Sequence, residues 1–251
     1  MLQIEERMFE RIKYWYRGMR YKHKLDRTEI RYILDKGKDG EVAVDIGAHK
    51  GAYLFWLQKK VGTKGWVFAF EPQPKLSKYL TMMCQKNKYK NVFIENQGLS
   101  SKRGSFELYI PSGKSSSPGA SLEKHGIEPN GYQSVEIQTT TLDDYFLKER
   151  NLKPHFLKID VEGHELSVFK GGEELLREAK PNILVECEQR HLGDTKIEEV
   201  FAFLVDLGYK GFFIWNNELK PLSEFVVEKH QKIKEGRFWM SKDYCNNFIF
   251  E

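Results

Sequence analysis

The stretch LKIDVEGHE, residues 157–165, places Asp160, Glu162, His164 and Glu165 directly after a short apolar run. Carboxylates and an imidazole gathered at a strand end are groups that orient a hydroxyl and take its proton. In an extended stretch Asp160 and Glu162 share a direction while Val161 points oppositely, and Gly163 permits a sharp turn into the next helix. His164 then falls at the helix N-terminus, whose dipole favours the neutral imidazole that a general base requires, although a histidine there can equally be a simple cap. Glu165, in the first helical turn, reads as a surface acid that compensates the dipole. Glu186 and Glu188 in NILVECE are placed to complete a pocket or a cation site with Asp160, yet no ligand spacing specifies a metal. His49 and His191 are further candidates.

A second constellation opens with VDIGAHKG, residues 44–51, where Asp45 ends an apolar run and Gly47 and Gly51 punctuate the turn into a helix. Glycines let a backbone approach a ligand closely, and a helix N-terminus offers unpaired N–H groups. The stretch is not the phosphate-binding GxxxxGK[ST] loop, and His49 stands where the dinucleotide GxGxxG pattern needs its second glycine. Asp45 would repel a pyrophosphate but suits a ligand bearing positive charge, and S-adenosylmethionine carries an ammonium and a sulfonium. Glu71 follows Gly51 by about 20 residues at the end of the next apolar run, where an acid binds both hydroxyls of an adenosine ribose. Asn96 and Leu99 in IENQGLS fall where an adenine ring would lie, and Ser121 is placed to touch cofactor or acceptor when a loop closes.

These residues need a scaffold that brings strand ends together. EVAVDIG, GWVFAFEP and NVFIEN read as strands separated by the helices AYLFWLQKK and KLSKYLTMMCQKN, a β-α-β-α-β rhythm that predicts a doubly wound, mostly parallel sheet with ligands at its carboxyl edge. Residues 104–140 break the rhythm with two alternating strands around PSGKSSSPGASLEKHGIEPNGY, an expected inserted active-site loop. The alternation resumes with HFLKID, the helix HELSVFKGGEELLREA, NILVECE, KIEEVFAFLVDLG and YKGFFIW, and NNFIFE closes the chain as a last strand. With no internal repeat or linker, the expected organisation is a helical extension over residues 1–40 followed by one domain over 41–251.

Composition narrows the function. No apolar run approaches the ~20 residues of a membrane span, and the first residues lack the apolar core of a signal peptide, so a cytoplasmic location is expected. Cys84, Cys187 and Cys245 have no CxxC spacing and read as free thiols. A net charge of +4 is too balanced to argue for nucleic-acid binding by the whole domain. Residues 11–25, RIKYWYRGMRYKHKL, are nevertheless basic and aromatic without an acid. Either the stripe Ile4, Met8, Ile12, Tyr16 packs on the domain with the cations in water, or the segment contacts an anionic substrate or surface. Nothing in the sequence specifies an oligomeric state.

VDIGAHKG, FEPQP, NQGLS, GASL, TTLDDYF, LKIDVEGHELSVFKGG and PNILVECE together resemble the FkbM-type S-adenosylmethionine-dependent methyltransferases, in order over about residues 41–215. The resemblance implies a class I, Rossmann-like methyltransferase fold with a seven-stranded sheet and an antiparallel last strand. It also implies O-methylation of a hydroxyl on a sugar, glycan or polyketide-like molecule. A sulfonium is an activated methyl donor, so such an enzyme must align the acceptor, exclude water and remove a proton. On this reading Asp45, Gly47, His49, Gly51, Glu71, Asn96, Leu99, Ser121 and Asp160 serve the cofactor, and Asp160, Glu162 and His164 the acceptor. Base methylation of nucleic acid is disfavoured, because [DNS]PP[YFW] and Pro-Cys motifs are missing. The rival from another class is a catalytically silent member that keeps the fold for binding.

Overall fold

The VAVDI run forms β1 (Val42–Ile46), buried along its whole length at the interior of an eight-stranded sheet. The computed structural model describes residues 2–111, 119–123 and 131–251, without the side chains of 2–7 and 240. Ahead of β1 come α1 (Leu2–Arg20), a π-helical turn (Tyr21–Leu25) and α2 (Arg27–Lys36). After it come α3 (Ala52–Val61), β2 (Trp66–Phe70), α4 (Pro74–Asn87) and β3 (Val92–Glu95). β4 (Gly98–Leu99), β5 (Gly104–Pro111) and β6 (Tyr132–Thr140) form a separate small sheet. The main sheet resumes through β7 (Phe156–Ile159), α5 (Glu165–Lys170), α6 (Glu173–Ala179), β8 (Asn182–Glu186), α7 (Ile197–Asp206), β9 (Gly211–Trp215), β10 (Glu218–Pro221), α8 (Val227–His230) and β11 (Asn247–Phe250).

The strand order is β10-β9-β11-β8-β7-β1-β2-β3. The run from β8 to β3 is parallel, and β11 inserts antiparallel between β8 and β9, as the mostly parallel expectation required. The eighth strand comes from a local device. Asn216 and Asn217 both take positive φ, 53° and 63°, and pair Trp215 with Glu218 across a two-residue hairpin that adds β10 at the edge.

Alternation along the strands separates two cores. Val44, Ile46, Leu157 and Ile159 join Phe169, Leu176 and Phe201 on the face of α5, α6 and α7. Ala43, Val67 and Ala69 join Tyr14, Ile30, Leu54, Phe55 and Leu80 on the face of α1 to α4. One expected helix is two, because α5 and α6 break at Gly171–Gly172. A β-carbon on Gly171 would lie 2.0 Å from the Ser100 carbonyl oxygen after β4, and one on Gly172 2.6 Å from the Leu142 side chain after β6, so close packing at both places favours glycine.

The N-terminal arm corrects a second expectation. Ile4 lies outside the described side chains, while Met8, Ile12 and Tyr16 are exposed rather than packed on the domain. α1 instead turns Tyr14 and Gly18 inward. Tyr14 meets Phe55 edge-on at 5.7 Å, and Gly18 leaves room for the Phe55 ring while its carbonyl accepts from Trp56 Nε1 at 2.8 Å. Residues 112–118 and 124–130 of the expected active-site loop lie outside the described residues.

Candidate functional site

Asp45 in β1 stands opposite Lys158 in β7, both on the side of the sheet that α1 to α4 cover. Glu186, at the end of β8, shares that side by alternation with Val185. These strand ends open into a cleft of about 1060 Å³, lined by the turns after β1, β2 and β7, by Glu186, and by the helical arm that precedes β1. The volume exceeds what one small molecule normally fills, roughly 300–1,000 Å³, and so has room for two reactants.

The turn after β1 is built for close approach. Gly47 has φ +80°, and a β-carbon there would lie 1.8 Å from the Asp160 carbonyl oxygen, so glycine is what allows the ends of β1 and β7 to touch. His49 also takes a positive φ, 46°, and its backbone N–H donates to Glu71 Oε2 at 2.7 Å. Gln73 N–H donates to the other Glu71 oxygen at 2.9 Å. Two backbone donors thus fix the carboxylate, and each oxygen keeps a lone pair for a ligand hydroxyl. Burial pushes the Glu71 carboxyl up to about 7, against those donors, which pull it down. Asp45 is raised to about 7 as well, by burial first, with Lys158 opposing and Asp160 reinforcing. Its Oδ2 is buried without a hydrogen-bond partner. The His49 imidazole is held down to about 4 by burial, then by Lys50 and Arg17.

The remaining residues expected at the cofactor divide. Leu99 and Ser121 line the cleft. Asn96 does not line it: its amide donates to the Glu71 and Pro72 carbonyls at 3.0 and 3.1 Å and so braces the backbone behind Glu71. Gly51 is not on the cleft wall either, and at φ +75° it leaves space for Leu80 and Tyr14 under the start of α3.

In the LKIDVEGHE turn, β7 ends at Ile159 and the extended alternation stops with it. Glu162 and Gly163 take φ of +52° and +97°, so the sharp turn expected at Gly163 is present but begins one residue earlier, at Glu162, where an extended stretch was expected. Asp160 N–H still bonds to Ile46 O at 2.9 Å, and its carboxyl is raised to about 6 by burial, with Lys158 opposing. Glu162 Oε2 lies 2.7 Å from His191 Nδ1. Burial acts to lower the His191 pKa, but the Glu162 carboxylate outweighs it and the net shift is upward.

His164 is buried, with Nε2 2.9 Å from Ser100 Oγ and Nδ1 2.9 Å from Glu123 Oε1. It sits at the start of α5 without a side-chain cap bond. Ser121 Oγ donates to the Glu162 carbonyl at 2.7 Å, so the inserted segment reaches back over the same turn twice. Glu165 is a correction. It is buried rather than on the surface, because its carboxylate folds back to accept from Gly163 N–H at 3.0 Å, and burial raises it to about 7. Glu186 and Glu188 both line the cleft; Glu188 is tied to Arg190 at 2.6 and 2.9 Å and to Tyr244, and Glu186 accepts from Asn246 at 2.6 Å. Among the described residues no group of three or more His, Cys, Asp or Glu side chains could hold a metal ion.

The sequence suggests that residues 1–40 help to shape the acceptor pocket, but it does not single out which of them reach it. Asp26 and Glu29 both line the cleft. Burial raises Asp26, and it raises Glu29 to about 8. Asp26 Oδ2 accepts from Tyr53 at 2.7 Å instead of capping α2, and Lys158 lies 4.7 Å from the centre of the Tyr53 ring. The one signal was the DRTE capping-box pattern at 26–29, which marks a helix start and not a site.

The residues fit an adenosyl sulfonium ligand. The orphaned Asp45 oxygen offers an acceptor to an ammonium, the clamped Glu71 carboxylate accepts two vicinal hydroxyls, and the Gly47 turn brings backbone against the ligand.

Relatives carry the same architecture. The fold matches the crystal structure of Methyltransferase FkbM from Methylobacillus flagellatus KT with a TM-score of 0.53 and 15% identity, over 96% of this chain and 55% of that one. In sequence, the chain is 34% identical over 144 residues to the hexuronic acid methyltransferase AglP of Haloferax volcanii, covering 57% of this chain and 54% of that protein. It therefore spans about half the length of the relatives it matches. A family model for the Methyltransferase FkbM domain matches residues 45–210, well over half of the sequence, and the chain belongs to that family.

Proposed function

We propose that the protein is an S-adenosylmethionine-dependent O-methyltransferase acting on a hydroxyl of an acidic sugar or glycan. The observation that carries the reading is the pairing of a buried, unpartnered Asp45 oxygen with a Glu71 carboxylate clamped by two backbone donors across one cleft. Bound there, the cofactor would supply a methyl group already activated on sulfur. Asp45 would hold its ammonium, Glu71 its ribose hydroxyls, and Leu99 would pack on the adenine side.

The chain's own work is to place the acceptor and remove one proton. Glu162 raises the basicity of His191 by hydrogen-bonding its Nδ1, which suits that imidazole to take a hydroxyl proton. His164, engaged at both nitrogens, would act as a positioning residue that ties the turn to Ser100 and to the inserted segment. Ser100 itself is buried and off the cleft wall, so the Ser-His-Glu sequence of bonds does not read as a hydrolytic triad. Asp160 and Glu186 would accept hydrogen bonds from acceptor hydroxyls. Lys24, Arg27 and Lys242 also line the cleft and give an anionic group on the sugar a counter-charge, in keeping with the hexuronic acid in the relative's name. Free, buried thiols at Cys84, Cys187 and Cys245 suit a reducing, cytoplasmic setting.

Calorimetric titration with S-adenosylmethionine, followed by methyl transfer to uronic acids and to matched neutral sugars, tests the proposal. Binding of the cofactor and a preference for the acidic acceptors is expected. Correctly folded protein that takes up no cofactor would be the silent binding module instead.

A further inference from the structure

We propose that α1 is an interfacial helix that lays its apolar face on an anionic lipid surface. Met8, Phe9, Ile12, Trp15 and Tyr16 are 58, 57, 53, 50 and 62% exposed. At 100° per residue they share one outward face of a 19-residue helix, opposite Tyr14 and Gly18, which pack on α3. An amphipathic helix docked on a domain normally turns such a stripe inward. Here the inward contacts are made by Tyr14 and Gly18 with the partly buried Met19, and the large apolar side chains from Met8 to Tyr16 are left to water. Five of them on one face form a continuous patch, unlike apolar residues scattered singly on a surface.

Charge decides the occupant. Residues 2–25 contain Arg7, Arg11, Lys13, Arg17, Arg20, Lys22 and Lys24 against Glu5, Glu6 and Glu10, seven cations less three anions, or +4. Lys13 and Arg20 border the apolar face on one side, with Lys13 lying 4.2 Å from the centre of the Phe9 ring. Lys22 and Lys59 stand over Trp56 on the α3 side, 4.5 and 5.3 Å from its ring centre. Aromatic and aliphatic side chains on one face with cations along its borders match a headgroup boundary: the rings and aliphatics enter the acyl edge and the cations meet lipid phosphates. A second copy of the chain would bring two basic borders together and is disfavoured by repulsion. No helix among the described residues is long and apolar enough to cross a membrane, so α1 lies on the surface and does not span it. Arg17, Tyr21, His23 and Lys24 continue from the same arm into the wall of the cleft, so docking holds the cleft beside the lipid.

Flotation with vesicles of phosphatidylcholine containing about 30 mol% phosphatidylserine tests the inference in the full chain. The protein should float with these vesicles, and raising salt from about 0.05 to 0.5 M should weaken the binding at least several-fold. Ile12→Ser with Trp15→Ser should reduce partitioning at least tenfold, and Lys13→Glu with Arg20→Glu should abolish the preference for anionic over neutral vesicles. Melting midpoints report that both variants fold. Binding by wild type that neither variant changes, no binding at low salt, or a dimer in sedimentation that Ile12→Ser with Trp15→Ser dissolves would overturn the proposal. None of these readouts needs cofactor or turnover, so they stand or fall separately from the proposed activity.

Discussion

The Glu162 carboxylate lies 2.7 Å from His191 Nδ1, and its charge raises the His191 pKa against the effect of burial. A base works deprotonated, so the rate should climb with pH through that raised value. Glu162→Gln removes the charge, lowers the His191 pKa, and should move the acidic limb of the pH–rate profile down by about one unit. His191→Ala should cut kcat by roughly 10²- to 10⁴-fold while leaving cofactor affinity within about twofold. An unchanged rate would point to methylation of a carboxylate, which is already a nucleophile and needs no base.

Asp45 offers a second pH signature. Its folded-state pKa, pushed up to about 7, means the ionised form that pairs with an ammonium predominates only above that value. S-adenosylmethionine affinity should therefore rise up to about tenfold between roughly pH 6 and pH 8, and Asp45→Asn should flatten the rise while weakening binding. The sign for stability is opposite. A carboxyl raised on folding favours the fold most below its unfolded value near 4, and that contribution is lost as pH rises through about 7. Calorimetric scans should thus find Asp45→Asn more stable than wild type by a few degrees above about pH 7, with the gain vanishing near pH 4.

Gly47 is the position where substitution should cost most for its size. A β-carbon there meets the Asp160 carbonyl oxygen at 1.8 Å, and the positive φ is itself strained for alanine. Gly47→Ala should lose about 1–3 kcal/mol from backbone strain, or roughly 2–4 °C per kcal/mol, and should weaken cofactor binding more than stability, because β1 and β7 part at the cleft. Gly51→Ala meets only side chains of Leu80 and Tyr14, at 2.9 Å, and should leave binding closer to wild type.

The contrast between these glycines shows what the sequence could convey. Strand ends were legible because buried parallel strands are apolar runs, and Asp45, Glu71 and Asp160 each interrupt one at its carboxyl end. The face of α1 was not. Periodicity marks Met8, Ile12 and Tyr16 as a stripe but carries no sign for inside or outside, and the inward contact is made by Gly18, which has no side chain to register. Glu165 was misjudged for a related reason: helix position predicts a favourable dipole and says nothing about the turn folding its carboxylate back onto Gly163. Asp26 and Glu29 reach the cleft only through tertiary docking of α2, more than a hundred residues in sequence from Asp160.

The inserted segment is held at both its backbone and its side chains. Ser121 Oγ donates to the Glu162 carbonyl at 2.7 Å and Glu123 Oε1 meets His164 Nδ1 at 2.9 Å, while Ser121 N–H and C=O pair with Tyr109 at 3.1 and 2.8 Å. The segment is thus anchored to β5 by backbone and latched to the turn by side chains, so side-chain changes should loosen the latch without releasing the strand. A latch matters to the acceptor, because it fixes Glu162 in its positive-φ conformation and with it the partner of His191. Ser121→Ala should raise the acceptor KM several-fold, with a smaller fall in kcat and little change in cofactor affinity, since Asp45 and Glu71 are held by other bonds. Glu123→Gln keeps a hydrogen bond to His164 and should be milder than Glu123→Ala. If steady-state kinetics show Ser121→Ala altering only the cofactor terms, the segment closes over the cofactor and not over the acceptor.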